Sequence, residues 1–135
     1  MLPTIDRSNA PLLVVRFPPN VTDEELGRHF DTMVQVVLGG PDEQVTIIVD
    51  LTQADLFSLA LRDHAAAKLK AIYPRVAGRI AGAAHIVGSP FGLGAMTGVL
   101  ALVPAPHPTL VTRSLEAGTL WAQRRLSATR PAARV

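Results

Sequence analysis

Short apolar runs rich in β-branched residues alternate with helix-start signals along this chain, and the alternation restricts the fold more than any other feature. Residues 45–49 form an almost continuous β-branched run, as in central strands that are buried on both faces. Similar short runs occupy residues 12–17, 81–88 and 108–112. Because strands separated by helices are joined by right-handed crossovers, the sequence predicts a mostly parallel sheet.

N-cap residues mark the starts of the predicted helices. Thr22 and Glu25 have the spacing of a capping box, and Gly39-Gly40-Pro41 is predicted to end the helix that they begin. Two later helices are predicted to start at serines, because a serine side chain accepts a hydrogen bond from the free N–H groups of a first turn. These are Ser89, followed by Pro90 as the first helical residue, and Ser114.

A further helix is expected from about Phe57 to Arg79, with Pro74 kinking or breaking it. A strand hairpin joined near Ser8-Asn9 begins the chain. The predicted order is β-β-α-β-α-β-α-β-α, an α/β fold with a mixed, mostly parallel sheet of about five strands and about four helices. We expect one domain over residues 1–128 and a basic, flexible tail over residues 129–135.

Charge is distributed unevenly along the sequence. Residues 1–61 contain three basic and nine acidic side chains, whereas residues 62–135 contain ten basic and two acidic ones. This polarity predicts head-to-tail self-association or a positive face for an acidic partner, unless the charges intermix in the folded chain. One Trp, one Tyr and four Phe are too few to interleave with the basic residues, so nucleic-acid binding is not expected.

One uncharged stretch is long enough to be tested as a membrane span. No Asp, Glu, Lys or Arg lies between Arg79 and Arg113, and residues 83–103 have the length that crosses a bilayer. His85 and Gly88-Ser89-Pro90 divide this segment into halves that are too short, so we expect a buried strand and a buried helix instead. Cysteine is absent and residues 1–10 show no secretory signal, which together favour a cytoplasmic location.

No arrangement of residues predicts catalysis. The five serines lack the Gly-x-Ser-x-Gly elbow of a hydrolase, and the four histidines are dispersed rather than spaced as metal ligands. His85 lies in an apolar run and is expected to be a hydrogen-bonded core residue. Gly88, Gly92 and Gly94 open a helix, but no Lys-Ser/Thr follows, so a tight turn is favoured over a phosphate site. We expect a non-enzymatic protein without a metal or cofactor.

The order of the apolar elements is similar to that of a known superfamily. The elements are an apolar strand, a helix that begins Thr22-Asp23-Glu24-Glu25-Leu26, the strand Ile47-Ile48-Val49 ending at Asp50, a strand before Ser89-Pro90, and a closing helix with Leu120-Trp121. Over residues 12–126 this pattern resembles the STAS-like superfamily of sulfate transporter and anti-sigma-factor antagonist domains. It is most similar to the divergent bacterial branch that is often grouped with Sec14-type lipid-binding folds.

The resemblance implies a mixed sheet with helices and, as in anti-sigma-factor antagonists, a switch at a Ser or Thr after the Asp-ended strand. A partner kinase phosphorylates that residue, which adds a charge of about −1.5 to −2 where a partner docks. Here Asp50-Leu51-Thr52 replaces the Asp-Ser-Ser/Thr-Gly-Leu motif of that branch. Thr52 and Ser58 are the nearest hydroxyls, and they are either phosphorylation sites or ordinary turn and cap residues.

Two functions remain open from the sequence. The leading hypothesis is a regulatory or scaffolding module that binds a protein partner through the region after the Asp50-ended strand. The residues predicted to contact the partner are Asp50, Thr52, Ser58, Arg62, Lys68 and Lys70. The alternative is a binder of a small apolar or lipid-like ligand beside the glycine-rich helix from Pro90 to Val103.

Overall fold

The computed structural model describes residues 1–55 and 58–129 of the 135-residue chain, without the side chains of Leu59 and Thr129. It confirms the predicted class, an α/β fold with a five-stranded mixed sheet and four helices in the described residues. The elements are β1 (Thr4–Asp6), β2 (Leu12–Arg16), α1 (Asp23–Gly39), β3 (Val45–Leu51), α2 (Leu59–Val76), β4 (Ile80–Val87), α3 (Pro90–Leu102), β5 (Thr109–Thr112) and α4 (Leu115–Thr129). The predicted flexible tail lies outside the described residues from position 130 onward.

The strands are arranged in the sheet in the same order as in the sequence, β1-β2-β3-β4-β5. β1 is antiparallel to β2, and β2 to β5 are all parallel. Each parallel strand is thus added on the same side of the previous one. Crossovers of one handedness then place α1, α2 and α3 on a single face of the sheet and leave the other face to α4.

Two separate clusters of apolar side chains form on the two faces. On the α1–α3 face, side chains of α1 and α2 pack against alternate residues of β2 and β3, including Leu13, Val15 and Ile47. On the α4 face, Ala122 and Trp121 pack against the intervening residues, including Ile48 and Ile86. This division follows from strand geometry, because successive side chains point to opposite faces.

α4 packs unusually close to the sheet because two glycines allow it. A Cβ added to Gly82 in β4 would lie 3.0 Å from the Trp121 ring, and one added to Gly118 in α4 would overlap Cδ1 of Ile86. The absence of these side chains brings the helix backbone onto β4. The α4 face is therefore tightly filled.

Most of the predicted helix ends are confirmed by their hydrogen bonds. The capping box of α1 is complete, since Thr22 Oγ1 accepts from Glu25 N at 3.1 Å and Glu25 Oε1 accepts from Thr22 N at 3.0 Å. Ser89 Oγ accepts from Gly92 N at 3.0 Å at the start of α3. Ser114 Oγ accepts from Ala117 N at 3.0 Å at the start of α4. These local predictions held because the cap bonds join residues three positions apart.

The prediction for α2 was wrong at its C-terminal end. The helix continues past Pro74 and ends at Val76, three residues before the predicted Arg79, and Phe57 lies outside the described residues. Gly78 adopts φ 79°, a left-handed conformation that favours glycine and ends the helix. Arg79 then turns towards the α1–β3 connection, where its guanidinium donates to the carbonyl oxygens of Val37, Asp42 and Glu43 at 2.8–3.2 Å.

The uncharged segment forms β4 and α3, as predicted, rather than one long helix. β4 is buried along its whole length, but α3 is buried only at Gly92, Ala95 and Val99, so the expectation of a buried helix was wrong. Over the described ranges, the helices are all too short or too polar to cross a bilayer.

Candidate ligand cavity

The α1–α3 face of the sheet is incompletely filled, in contrast to the α4 face. A cavity of about 160 Å³ lies between β2, β3 and β4 on one side and the three helices on the other. The small side chains of Ala65 on α2 and Ala83 on β4 belong to its lining and leave part of this space open. The cavity is therefore a product of the helix layer, which stands further from the sheet than α4 does.

The lining is almost entirely apolar. Alternate residues of the strands form its floor, and these are Val15, Ile47, Val49, Leu51, Ala83 and His85. Helical residues that point towards the sheet form its roof, and these include Leu26, Met33, Val37, Leu61, Ala65, Leu69, Ile72, Met96 and Val99. A space lined in this way favours apolar molecules over polar ones.

The charged members of the described lining are Arg62 and Asp55. Asp55 and Pro19 are exposed, and the segments that follow β3 and β2 are joined by a hydrogen bond of 3.2 Å from Asp55 N to Pro19 O. Arg62 is half-buried, and its guanidinium carbon lies 5.5 Å from the centre of the Phe91 ring. Charge is thus confined to the end of the cavity beyond the carboxyl ends of β2 and β3.

Three histidines and the hydroxyl group of Tyr73 contribute the remaining polarity of the lining. Burial lowers the pKa of His29 to about 4, and it does the same for His107. Burial also lowers the pKa of His85 to about 4, with a small opposing effect from a hydrogen bond to the Leu110 backbone. All three imidazoles are consequently neutral at pH 7, so the cavity has polar groups but little charge.

The environments of these histidines differ. His29 is 5% exposed, and its ring lies between those of Phe17 and Phe30 at centroid distances of 5.2 and 5.4 Å. His107 is half-buried and meets the Tyr73 ring edge-on at 5.6 Å. His85 is 9% exposed, and its Nδ1 atom has no hydrogen-bond partner in the described part of the chain. The sequence prediction of a core position for His85 is confirmed, but full hydrogen bonding is not.

Asp50 and Thr52, which the sequence singled out, lie together but outside the cavity. Because successive side chains of a strand point to opposite faces, the Asp50 side chain lies on the α4 face of the sheet. There its Oδ2 is 3.9 Å from Nε of Arg16 on the neighbouring strand. Its Oδ1 accepts hydrogen bonds from Thr52 N at 3.0 Å and from Thr52 Oγ1 at 2.7 Å. The carboxylate therefore closes the turn after β3, and the exposed Thr52 hydroxyl is already engaged with it.

The other four predicted contact residues do not form one surface. Ser58 is exposed and caps α2, accepting from Leu61 N at 3.2 Å. Arg62 belongs to the cavity, and Lys68 is half-buried beside α1, where its Nζ would be 3.2 Å from a Cβ on Gly27. Lys70 borders a separate shallow groove near Pro104 and Pro106. The prediction treated one segment of sequence as one face, whereas a helix turns these side chains in different directions.

Sequence reasoning missed His29, Tyr73 and His107 as parts of one site. His29 occurs three residues after Leu26 and four before Met33, so the helical period does place it on the buried face of α1. The cavity does lie beside the glycine-rich helix, but its open space does not come from missing glycine side chains, as the sequence suggested. Gly94 and Gly98 are exposed, and α3 contributes Met96 and Val99 to the lining instead.

The fold and cavity define a mixed-sheet α/β domain with one tightly packed face and one hollow face. Within residues 1–55 and 58–129, no group of three or more His, Asp or Glu side chains is arranged to hold a metal ion. A scan against protein-family models finds no match, and neither does a search of curated proteins.

Proposed function

We propose that the protein is a binding module for a small apolar ligand, held between the sheet and helices α1, α2 and α3. The observation that supports this function is the apolar cavity of about 160 Å³ in the middle of the domain. Protein interiors are normally packed to the density of organic crystals, and an empty space of this size lowers stability. A ligand that fills the space would recover the missing contacts.

The volume indicates the size of the ligand. Apolar cavities of about 150 Å³ in proteins bind benzene, so this one has room for a compound of about one ring. A charged compound would have to leave water for a lining with neutral histidines, which is costly. The proposed ligand is therefore small, compact and uncharged over most of its surface.

A pair of matched variants tests this proposal. Ala65→Leu adds three carbon atoms to the lining, whereas Ala67→Leu makes the same change at an exposed position on the same helix. Toluene binding to each variant is measured by isothermal titration calorimetry and by thermal shift. At ten times Kd, ligand binding stabilises a protein by about 1.4 kcal/mol, which corresponds to a rise in Tm on the order of 5 °C.

We expect toluene to bind to the wild type and to Ala67→Leu, and to bind at least tenfold more weakly to Ala65→Leu. We also expect Ala65→Leu to be as stable as the wild type or more so, because the added side chain fills the cavity. Equal toluene binding by both variants, or none by the wild type, would contradict the proposal. Native mass spectrometry of freshly purified protein shows whether a natural ligand of this size accompanies it.

The second candidate is the protein-binding module predicted from the sequence, and one observation favours it. Arg62 lies against Phe91, which is 41% exposed, and Leu93, two positions further along the uncharged helix α3, is 36% exposed. A basic group beside exposed apolar side chains is a common feature of protein interfaces.

This second candidate is tested by comparing Leu93→Asp with Leu120→Asp. Leu120 is 46% exposed on α4, which covers the opposite face of the sheet, so it provides a matched control. A partner that the wild type and Leu120→Asp capture from native extract, but that Leu93→Asp does not, would support protein binding at α3. Capture that is the same for all three forms would count against it.

A further inference from the structure

Two residues of the cavity lining, Arg62 and His85, have a buried side-chain nitrogen without a hydrogen-bond partner in the described residues, and His85 is the more buried of the two. It is 9% exposed, it lies in the floor of the cavity, and its Nδ1 is buried without a hydrogen-bond partner in the described residues. A buried polar atom without a partner costs on the order of a tenfold to hundredfold change in a folding or binding equilibrium. Native proteins seldom retain such an atom unless something else pairs with it.

We infer that the cavity selects a neutral ring compound that bears one hydroxyl group, and that this hydroxyl forms a hydrogen bond with His85. The inference rests on the proposed function and specifies the ligand class. A neutral imidazole has one nitrogen that donates and one that accepts, and a hydroxyl both donates and accepts. A hydroxyl therefore pairs with the imidazole whichever nitrogen has the proton, whereas a ketone only accepts.

The other histidines and the charged side chains of the lining are less suited to this role. His29 packs between two phenylalanine rings, and His107 is half-buried against the Tyr73 ring. Water reaches a half-buried side chain and satisfies its nitrogens without a ligand. Asp55 is exposed, and the half-buried Arg62 lies against Phe91 beyond the carboxyl ends of the strands, so an ionised group beside His85 would have no opposite charge there.

Phenol and toluene form a suitable pair of probes because they differ by a hydroxyl in place of a methyl group and have nearly the same size. Phenol is better solvated in water, so its absolute affinity says little about the hydrogen bond. The informative quantity is the ratio of the phenol and toluene association constants, compared between protein variants. This comparison removes the solvation difference, which is the same in every titration.

The variants are His85→Leu, His85→Gln and, as a matched control, His29→Leu. We expect the phenol-to-toluene ratio to fall about tenfold in His85→Leu, with toluene affinity within threefold of the wild type. His29→Leu should leave the ratio unchanged, and His85→Gln should retain most of it because the amide also donates and accepts. Circular dichroism and thermal unfolding verify that each variant is folded.

The outcomes separate this inference from the function on which it rests. If toluene binds to the wild type but His85→Leu leaves the ratio unchanged, the cavity binds ligands and the role of His85 is wrong. The same conclusion follows if His29→Leu lowers the ratio as much as His85→Leu does. If neither probe binds to the wild type, the proposed function itself fails. Should His85→Leu not fold, His85→Phe takes its place, because its ring neither donates nor accepts a hydrogen bond, and a phenol-to-toluene ratio equal to that of the wild type then overturns the inference.

Discussion

Mild acid should destabilise this protein, because two of the cavity histidines are buried and neutral. His29 and His85 are 5% and 9% exposed, and burial lowers the pKa of each from 6.5 to about 4. As the pH falls below 6.5, the unfolded chain takes up protons at these residues before the folded chain does. The histidines therefore give their full contribution to stability above pH 6.5, and this contribution is lost progressively as the pH falls towards 4.

The magnitude follows from the size of the pKa changes. At about 1.36 kcal/mol per pH unit, each histidine accounts for about 3 kcal/mol of unfolding free energy between pH 6.5 and 4. Near pH 5 the two together give a slope of about 2 kcal/mol per pH unit. His107 is half-exposed, so solvent screening reduces its share. A loss of about 6 kcal/mol is comparable to the whole stability of an ordinary domain.

Urea unfolding at pH 7.5, 6.5, 5.5 and 5.0 measures this slope. The pKa values of Glu25 and Asp6 are lowered by their hydrogen bonds, so these carboxylates affect stability below that interval. Replacing either His29 or His85 by leucine should reduce the slope near pH 5 by about half, to about 1 kcal/mol per pH unit. Equal stability at pH 7.5 and pH 5.0 would refute the reasoning. So would an unchanged slope in a variant in which both histidines are replaced by leucine.

Four further substitutions are predicted from local structure, each measured as the free energy of urea unfolding at pH 7.5. Thr46 is fully buried and its Oγ1 has no hydrogen-bond partner in the described residues, so Thr46→Val should stabilise the protein by about 1 kcal/mol. A loss of stability would show that the hydroxyl is bonded. Gly88→Ala should cost about 1–3 kcal/mol, because the new Cβ would lie 2.8 Å from the carbonyl oxygen of Thr52. Gly94→Ala, which meets nothing within 4 Å, should instead stabilise α3 by about 0.5–1 kcal/mol, and equal effects would contradict the close contact at Gly88. Thr22→Ala should cost about 1 kcal/mol through loss of the capping box, and no change would mean that the cap is not formed in solution.

The features that sequence reasoning predicted correctly are those that depend on residues close together in the sequence. The caps at Thr22, Ser89 and Ser114 each depend on a residue three positions away, and the β-branched run before Asp50 predicts a central strand by itself. From these signals the element order and the fold class follow. The end of α2 was misplaced because Arg79 resembles a helical residue in sequence, whereas its guanidinium binds three carbonyl groups 36 to 42 positions away.

The cavity was not predictable in the same way, because no segment contains it. The open volume of the cavity depends on the small side chains of Ala65 in α2 and Ala83 in β4, which face the same cavity only in the folded chain. Its histidines come from α1, β4 and the connection before β5. From sequence alone, a histidine within an apolar pattern is predicted to be an ordinary core residue. Only the folded arrangement shows that three of them share one lining.

The most direct test of the central claim uses the three methionines of the chain. Met33 and Met96 line the cavity from α1 and α3, whereas Met1 is 77% exposed. In a protein labelled with ¹³C at the methionine methyl groups, toluene is titrated while the three methyl resonances are followed by NMR. We predict saturable shifts of the Met33 and Met96 methyl groups, caused by the aromatic ring between them, and none for Met1. Shifts of equal size for all three methyl groups, or no saturable shift of Met33 and Met96, would contradict ligand binding in this cavity.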